Sequence, residues 1–269
     1  MADQRLDAAV AALGLARSRT HAAALIASGA VSVAGRPVVK PSHRVTPGEQ
    51  IVVAEADQYV SRAAHKLIAA LDAFAVDPAG RVALDAGAST GGFSQVLLER
   101  GARTVLAVDV GHDQLAAELR GAPGLIVVEG CNVRHLDAAE LARLTGVDER
   151  PTLVTADLSF ISLTTVLPAL TATAAPDADL VLLVKPQFEV GRGGVREGVV
   201  RDPAARADAV MGVLWAAFDL GLGVLGVESS PIAGAHGNRE VLTHLRARAG
   251  SDPSEWTGRV DQLTGGGPA

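Results

Sequence analysis

The sequence predicts an α/β protein with a parallel, doubly wound sheet and a small α+β module in front of it. Two observations predict the sheet. From "HKLIAALDAF" (65–74) onward, apolar runs of strand length alternate with helix-patterned segments. Near-continuous apolar strands between helices belong to a sheet covered on both faces. A glycine-rich turn, "LDAGASTGGF" (84–93), follows the first such run and opens a helix. A third observation predicts the module. Residues 1–48 carry a net charge of +4, and the remainder carries −10. A basic head on an acidic body fits a polyanionic partner, and on charge alone it fits chance clustering of surface arginines equally well.

The module, residues 1–55, reads in four parts. "RLDAAVAALG" (5–14) has helical apolar spacing and a glycine stop. "SRTHAAALIASG" (18–29) begins with Ser18 as N-cap and stops at Gly29. "AVSVAGRPVVK" (30–40) alternates around Ala34-Gly35, as a hairpin does, and "GEQIVVA" (48–54) is a further strand. So small a core is marginal alone and suits an appended module. Residues 56–62 break the pattern and read as a linker. The main domain spans 63–250, and 251–269, ending in "TGGGPA", reads as a tail.

In the main domain the strand candidates are "RVALDAG", "TVLAVDV", "LIVVEG", "PTLVTADLS", "DLVLLVKP", "GVLGVESS" and, last, "REVLTHLR". Helical pattern appears in "GGFSQVLLERG", "HDQLAAELRG" (112–121), "DAAELARLTG" and "DPAARADAVMGVLWAAFDLG". Hydrophobic residues make up 48% of the chain but aromatics only 3%, so the core must rest on Ala, Val and Leu. Cys131 is the single cysteine, which excludes an internal disulfide and fits a cytoplasmic protein. The start, "MADQRLDAAV", is not a signal peptide, and runs such as "LVLLV" are too short to cross a bilayer. His65, His112 and Cys131 lack the spacing of a metal site, so no metal is expected.

Ligands bind such sheets outside the carboxyl ends of the strands. The residues there are Asp85 with its loop, Asp109, Asn132, Asp157 and Lys185. The loop is neither a phosphate loop nor the dinucleotide G-x-G-x-x-G. An acidic residue before it opposes a pyrophosphate and suits a cationic ligand. S-adenosylmethionine, with an ammonium and a sulfonium, fits. Asp109 is placed to accept hydrogen bonds from ribose hydroxyls, and Asn132 to read an adenine edge. Lysine is scarce: Lys40, Lys66 and Lys185 are the only three among 24 basic residues. A lysine retained where arginine is the default points to a need for an amine that can lose its proton.

"GLARSRTHAAALIASGAV", "SRAAHKL", "LDAGASTGGF", "DLSFISL", "LVKPQFEVG" and "GNREVL", in that order, resemble the TlyA family of ribosomal-RNA 2′-O-ribose methyltransferases. They are more loosely similar to the FtsJ-like rRNA methyltransferases, which share a Lys-Asp-Lys-Glu tetrad. The resemblance implies a Rossmann-like methyltransferase sheet, with the tetrad on Lys66, Asp157, Lys185 and Glu240. It implies S-adenosyl-L-methionine held by Asp85, Gly87, Ala88, Ser89, Thr90, Gly91, Gly92, Phe93, Asp109 and Asn132. The N-terminal stretch is similar to the RNA-binding module of ribosomal protein S-four. This implies contacts to ribosomal RNA, within ribosomal subunits, from Arg5, Arg17, Arg19 and Lys40. The implied reaction is methylation of a cytidine ribose in the large subunit, and in some relatives also in the small one. The family's other label, haemolysin, defines the rival: a pore-forming or contact-lytic protein, for which the sequence offers no amphipathic membrane-inserting segment.

Overall fold

The computed structural model describes residues 4–16, 18–27, 29–46, 48–53, 59–191, 194–195 and 197–265. The chain forms two compact units, Met1–Gln58 and Tyr59–Ala269.

In the first unit, β1 (Gln4–Arg5) leads into α1 (Leu6–Ala12), followed by α2 (Arg19–Ala27). Ser18 Oγ accepts the His21 N–H at 3.1 Å, so it caps α2 as its position in the sequence predicts. Strands β2 (Val31–Val33) and β3 (Arg36–Pro37) form the expected hairpin. Its two turn residues, Ala34 and Gly35, have φ of 49° and 76°, as a tight turn between twisted strands requires. β4 (Arg44–Val45) pairs with β1, a ribbon the pattern does not predict, and β5 (Ile51–Val53) pairs with β2. Leu6, Val10, Ile26 and Val31 close a small core.

The second unit is built on a seven-stranded sheet. Its strands are β6 (Val82–Ala86), β7 (Thr104–Val108), β8 (Leu125–Val128), β9 (Leu153–Ala156), β10 (Asp179–Val184), β11 (Leu222–Ser229) and β12 (Val241–Ala247). Their order is β8-β7-β6-β9-β10-β12-β11. All are parallel except β12, which runs antiparallel to both neighbours. The chain goes one way from β6 to β7 and the other way to β9, so the switch point lies between β6 and β9.

Side-chain alternation sorts the strand residues between two layers. Val82, Leu84, Leu180, Leu182 and Val184 face α6 (Leu163–Thr173), α8 (Pro203–Asp219) and α9 (Thr257–Thr264). Ala83, Leu153, Val181, Leu183 and Leu242 face α3 (Ala64–Phe74) and α4 (Gly92–Glu99). Every residue of β6 and β10 is buried. The short α5 (Ala138–Thr145) and α7 (Pro186–Glu189) complete the unit.

Three segments differ from the sequence pattern. The helix expected over 112–121 is reduced to a 3-10 turn, Ala117–Leu119. Asp113 just before it has φ 55°, which a helix cannot continue through. The pattern names no helix between β9 and β10, where α6 lies. Pro168 sits within it, but the buried Val166, Leu167 and Leu170 hold it against the sheet. The segment from 251, expected as a tail, is ordered as α9, whose Val260 is fully buried in the core.

Candidate active site

The alternation that packs the sheet also assembles the site. Leu183 and Leu242 face α3, so Lys185, two residues beyond Leu183, and Glu240, two before Leu242, lie on the α3 side. Leu153 faces the same layer, which brings Asp157, four residues on, to that side as well. Lys66, in the first turn of α3, meets them. Its Nζ donates to Glu240 Oε2 at 2.6 Å and lies 3.7 Å from Asp157 Oδ2. Lys185 Nζ lies 2.6 Å from Asp157 Oδ1, an ion-pair contact outside hydrogen-bonding angles, and donates to Ser159 Oγ at 2.9 Å. Asp157 thus bridges two ammonium groups. Lys66, Lys185 and Glu240 are 7%, 8% and 4% exposed. Burying this many charges is tolerable only because each meets an opposite one.

Beside the tetrad, at the switch point, lie two adjoining recesses. The larger has a volume of about 580 Å³ and is lined by Gly87, Ser89, Asp109, Gln114, Asn132 and Asp157, among others. The smaller, about 160 Å³, is lined by Ser61, Gly87, Ser89, Thr90, Gly92, Asp157 and Lys185, among others. Gly87 is required where it stands. It has φ 83°, and a Cβ there would come within 2.8 Å of Leu158 and 3.3 Å of the Asp157 carbonyl. Asp109 organises the rim: Oδ2 accepts the Ser89 N–H at 2.8 Å and Oδ1 the Gly111 N–H at 2.7 Å. Asn132 Oδ1 accepts the Arg134 N–H at 3.1 Å, which fixes its side chain at the rim. The larger recess has two carboxylates and no lysine or arginine in its lining. Its size suits a small ligand and its charge suits a cation, so the residues present fit S-adenosylmethionine.

Residues 59–247 match the model of the FtsJ-like methyltransferase family, and residues 4–51 match the S4 domain. The 16S/23S rRNA (cytidine-2′-O)-methyltransferase TlyA of Mycobacterium tuberculosis is 51% identical, over 91% of this chain and 90% of its own length. The chain belongs to the TlyA family. Hemolysin A of Brachyspira hyodysenteriae, another relative, is 36% identical over 90% of this chain and 99% of its own. A solved structure described as a hemolysin, from Streptococcus thermophilus, superimposes with a TM-score of 0.75 at 33% identity. It covers 99% of this chain and 97% of that one. Among the described residues, no helix of this methyltransferase is long and apolar enough to cross a membrane.

The structure of this TlyA-family chain places the other expected site residues unevenly. Ala88 and Phe93 line the smaller recess, and Gly91 packs beneath Leu115 and Leu119. Asp85 is not in the lining of either recess. It is 1% exposed and accepts from Ser94 Oγ at 2.6 Å. Burial pushes its carboxyl up to about 7, the bond from Ser94 opposes this, and the charge of Asp157 adds to it. Asp85 thus supports the loop from below. In the S4 domain, Arg5 donates two bonds to Asp7, and Arg19 Nη2 donates a third at 3.2 Å. The bond from Arg5, against the effect of burial and with help from Arg19, holds the Asp7 carboxyl at about 2. Both arginines are therefore partly neutralised. Lys40 is exposed, and Arg17 lies outside the described residues.

Sequence reasoning missed Ser159, Phe160 and Glu189. Phe160 is 91% exposed beside the larger recess and has φ 65°, an unfavourable backbone for a bulky residue. Its ring lies 5.2 Å from that of Phe188, one turn beyond Lys185. The partly buried Glu189 accepts from Ser162 Oγ at 2.5 Å and the Leu163 N–H at 2.8 Å, which ties the segment after Lys185 to the segment after Asp157. Phe160 and Glu189 lie inside quoted motifs, but nothing in the spacing marks them.

Proposed function

We propose that this chain transfers a methyl group from S-adenosylmethionine to the 2′-oxygen of a cytidine in ribosomal RNA, through Lys66, Asp157, Lys185 and Glu240. The observation that carries this reading is the convergence of those four side chains, three of them buried, with Asp157 and Lys185 at the wall of the smaller recess. The relative from M. tuberculosis, named for both 16S and 23S rRNA, supports a substrate in each ribosomal subunit.

S-adenosylmethionine, when bound, supplies a methyl group on a sulfonium. Asp109 and Asn132, in the larger recess, would hold its nucleoside, and Ser61, Thr90 and the backbone around Gly92, in the smaller recess, would hold its amino-acid part. Lys185 is the residue that meets the ribose 2′-hydroxyl. An amine there can accept the hydroxyl proton, and an ammonium there can stabilise the developing alkoxide. Asp157 and Ser159 hold Lys185 in place, and Lys66 and Glu240 fix Asp157 from the other side. Much of the rate then comes from alignment, because the rigid strand ends hold the groups in register. Phe160, exposed beside the recess, offers a face on which the target base can stack. In the S4 domain, Lys40 and the arginines contact phosphates, and that binding weakens with salt.

The test is transfer of tritium from labelled S-adenosylmethionine to purified ribosomal subunits, with ribose methylation located by primer extension at low dNTP. The reading expects a stop at a cytidine, abolished by Lys185→Ala, while cofactor binding stays within about threefold. No label in either subunit, from protein that binds the cofactor, contradicts it. Red-cell lysis that survives Lys185→Ala would instead support a separate membrane activity.

A further inference from the structure

Arg239 and Glu240 are neighbours in "GNREVL", and their side chains have opposite fates. Glu240 is buried against Lys66. The loop before it lies so close that a Cβ on Gly234 would come within 2.1 Å of Glu240 Oε1. Arg239 is exposed and lines a further cavity, of about 500 Å³, with Ser229, Ser230, Arg259 and Gln262. Glu240 also lines this cavity, so a ligand there sits against one member of the tetrad.

The charges around this cavity do not cancel. Glu240 is committed to Lys66, and Glu228 to Arg259 at 2.5 Å. Arg239 has no acidic partner among the described residues. The charge that acts on it is another cation, Arg206, which is spent capping the end of α9 through the Thr264 carbonyl. Ser230 Oγ already donates to the Ile232 carbonyl, which leaves Ser229 and the guanidinium of Arg239, without a counter-charge, at the mouth of the cavity; its planar fork matches a phosphate. A second exposed arginine, Arg62, stands four residues before Lys66 and also lacks an acidic partner among the described residues. Each element that supplies the Lys66–Glu240 pair therefore carries a bare arginine at its start. This occurs in a chain whose residues from 49 onward sum to −10 and repel a polyanion at long range.

We propose that Arg239 is a positioning residue that grips a phosphodiester of the RNA strand next to the target nucleotide, in the cavity beside Glu240. The proposal rests on the RNA-methylating reading above and adds a contact made by the catalytic domain itself. The grip fixes where the target ribose stands relative to Lys185, and Arg62 is placed to take a second phosphate.

The experiment compares full-length wild type, Arg239→Ala and Arg239→Lys. It measures methyl transfer to ribosomal subunits and filter binding of the subunits over a series of KCl concentrations, with calorimetric cofactor binding as control. The expected result for Arg239→Ala is a KM for the subunit about tenfold higher, with kcat within about twofold. The slope of log affinity against log salt should fall by about one. Arg239→Lys should recover most of the slope, and cofactor affinity should not move. An unchanged KM and slope overturn the proposal. A fall in kcat at constant KM also overturns it and assigns Arg239 to holding Glu240. Wild type that binds subunits without methylating them contradicts the functional reading, while the slope from filter binding still decides the role of Arg239.

Discussion

Strands β10 and β12 carry a buried charge cluster at each end, and the two clusters are built differently. At the carboxyl end of β10, Asp157 lies between Lys185 and Lys66, with Glu240 behind. At the other end, Asp179 Oδ2 pairs with Arg81 Nη1 at 2.8 Å, and Oδ1 with His244 Nε2 at 2.9 Å. Arg246 adds a contact at 3.8 Å. Arg81 also donates to the Thr152 carbonyl and hydroxyl, and His244 stacks on Phe74. Both clusters centre on buried groups, but their cations differ. Two of the three lysines stand at one end, and that end adjoins a recess. Arginine cannot give up its proton under ordinary conditions, and the imidazole of His244 is bonded to Asp179 and stacked on Phe74, so the Asp179 cluster is built to fasten strands. Burial alone does not mark a reactive site. The kind of cation and the access to a recess do.

Replacing Asp179 with Ala should break this comparison most visibly. It strands Arg81 in a largely buried setting, so the expected loss is about 3–5 kcal/mol in urea denaturation, with kcat of the folded enzyme within about twofold. Burial raises the Asp179 carboxyl, and the bonds from His244 and Arg81 outweigh that, so it stands below its ordinary 3.8. Stabilisation from a depressed acid is present above the unfolded value and is lost as pH falls. The gap between wild type and variant should therefore close in acid. Lost turnover at unchanged stability would show that the two clusters do not divide the work.

Asp85 sharpens the comparison, because it is an acidic strand end with no lysine or arginine bonded to it. Its carboxyl stands at about 7 against an ordinary 3.8. The folded state then holds a proton that the unfolded state has lost between those values, so stability falls as pH rises through that window. Asp85→Asn keeps an acceptor for Ser94 and removes the charge. It should raise stability at pH 8 by about 2 kcal/mol, with little difference near pH 4, because relaxation absorbs part of the roughly 1.4 kcal/mol per pH unit. Thermal melts at the two pH values check this. A variant less stable than wild type at pH 8 would show that the ionised carboxylate has a stabilising partner.

The sheet was legible because its central strands are covered on both faces and read as unbroken apolar runs. Asp157 and Lys185 were legible because sheet topology directs attention to strand ends, whereas Lys66 and Glu240 were named only through the family resemblance. The fate of Asp85 was not legible. It is also a strand end, but Ser94, brought by α4, and Thr155, on the neighbouring strand, enclose it. That enclosure is a tertiary fact. Phe160 was hidden for a similar reason, since a left-handed phenylalanine has no sequence signal. In the S4 domain the basic charge was plain, but the convergence of Arg5 and Arg19 on Asp7 joins residues 12 positions apart.

The central claim is that the site needs an amine at position 185, and Lys185→Arg tests it most directly. The substitution keeps the positive charge beside Asp157 and removes the proton-accepting amine. The measurement is single-turnover methyl transfer to ribosomal subunits at saturating cofactor, with a thermal melt on the same protein. The account predicts a rate at least about 10³-fold lower, with melting and cofactor affinity close to wild type. A rate within about tenfold of wild type would contradict the proton-accepting role and leave Lys185 as a charge that any cation can replace.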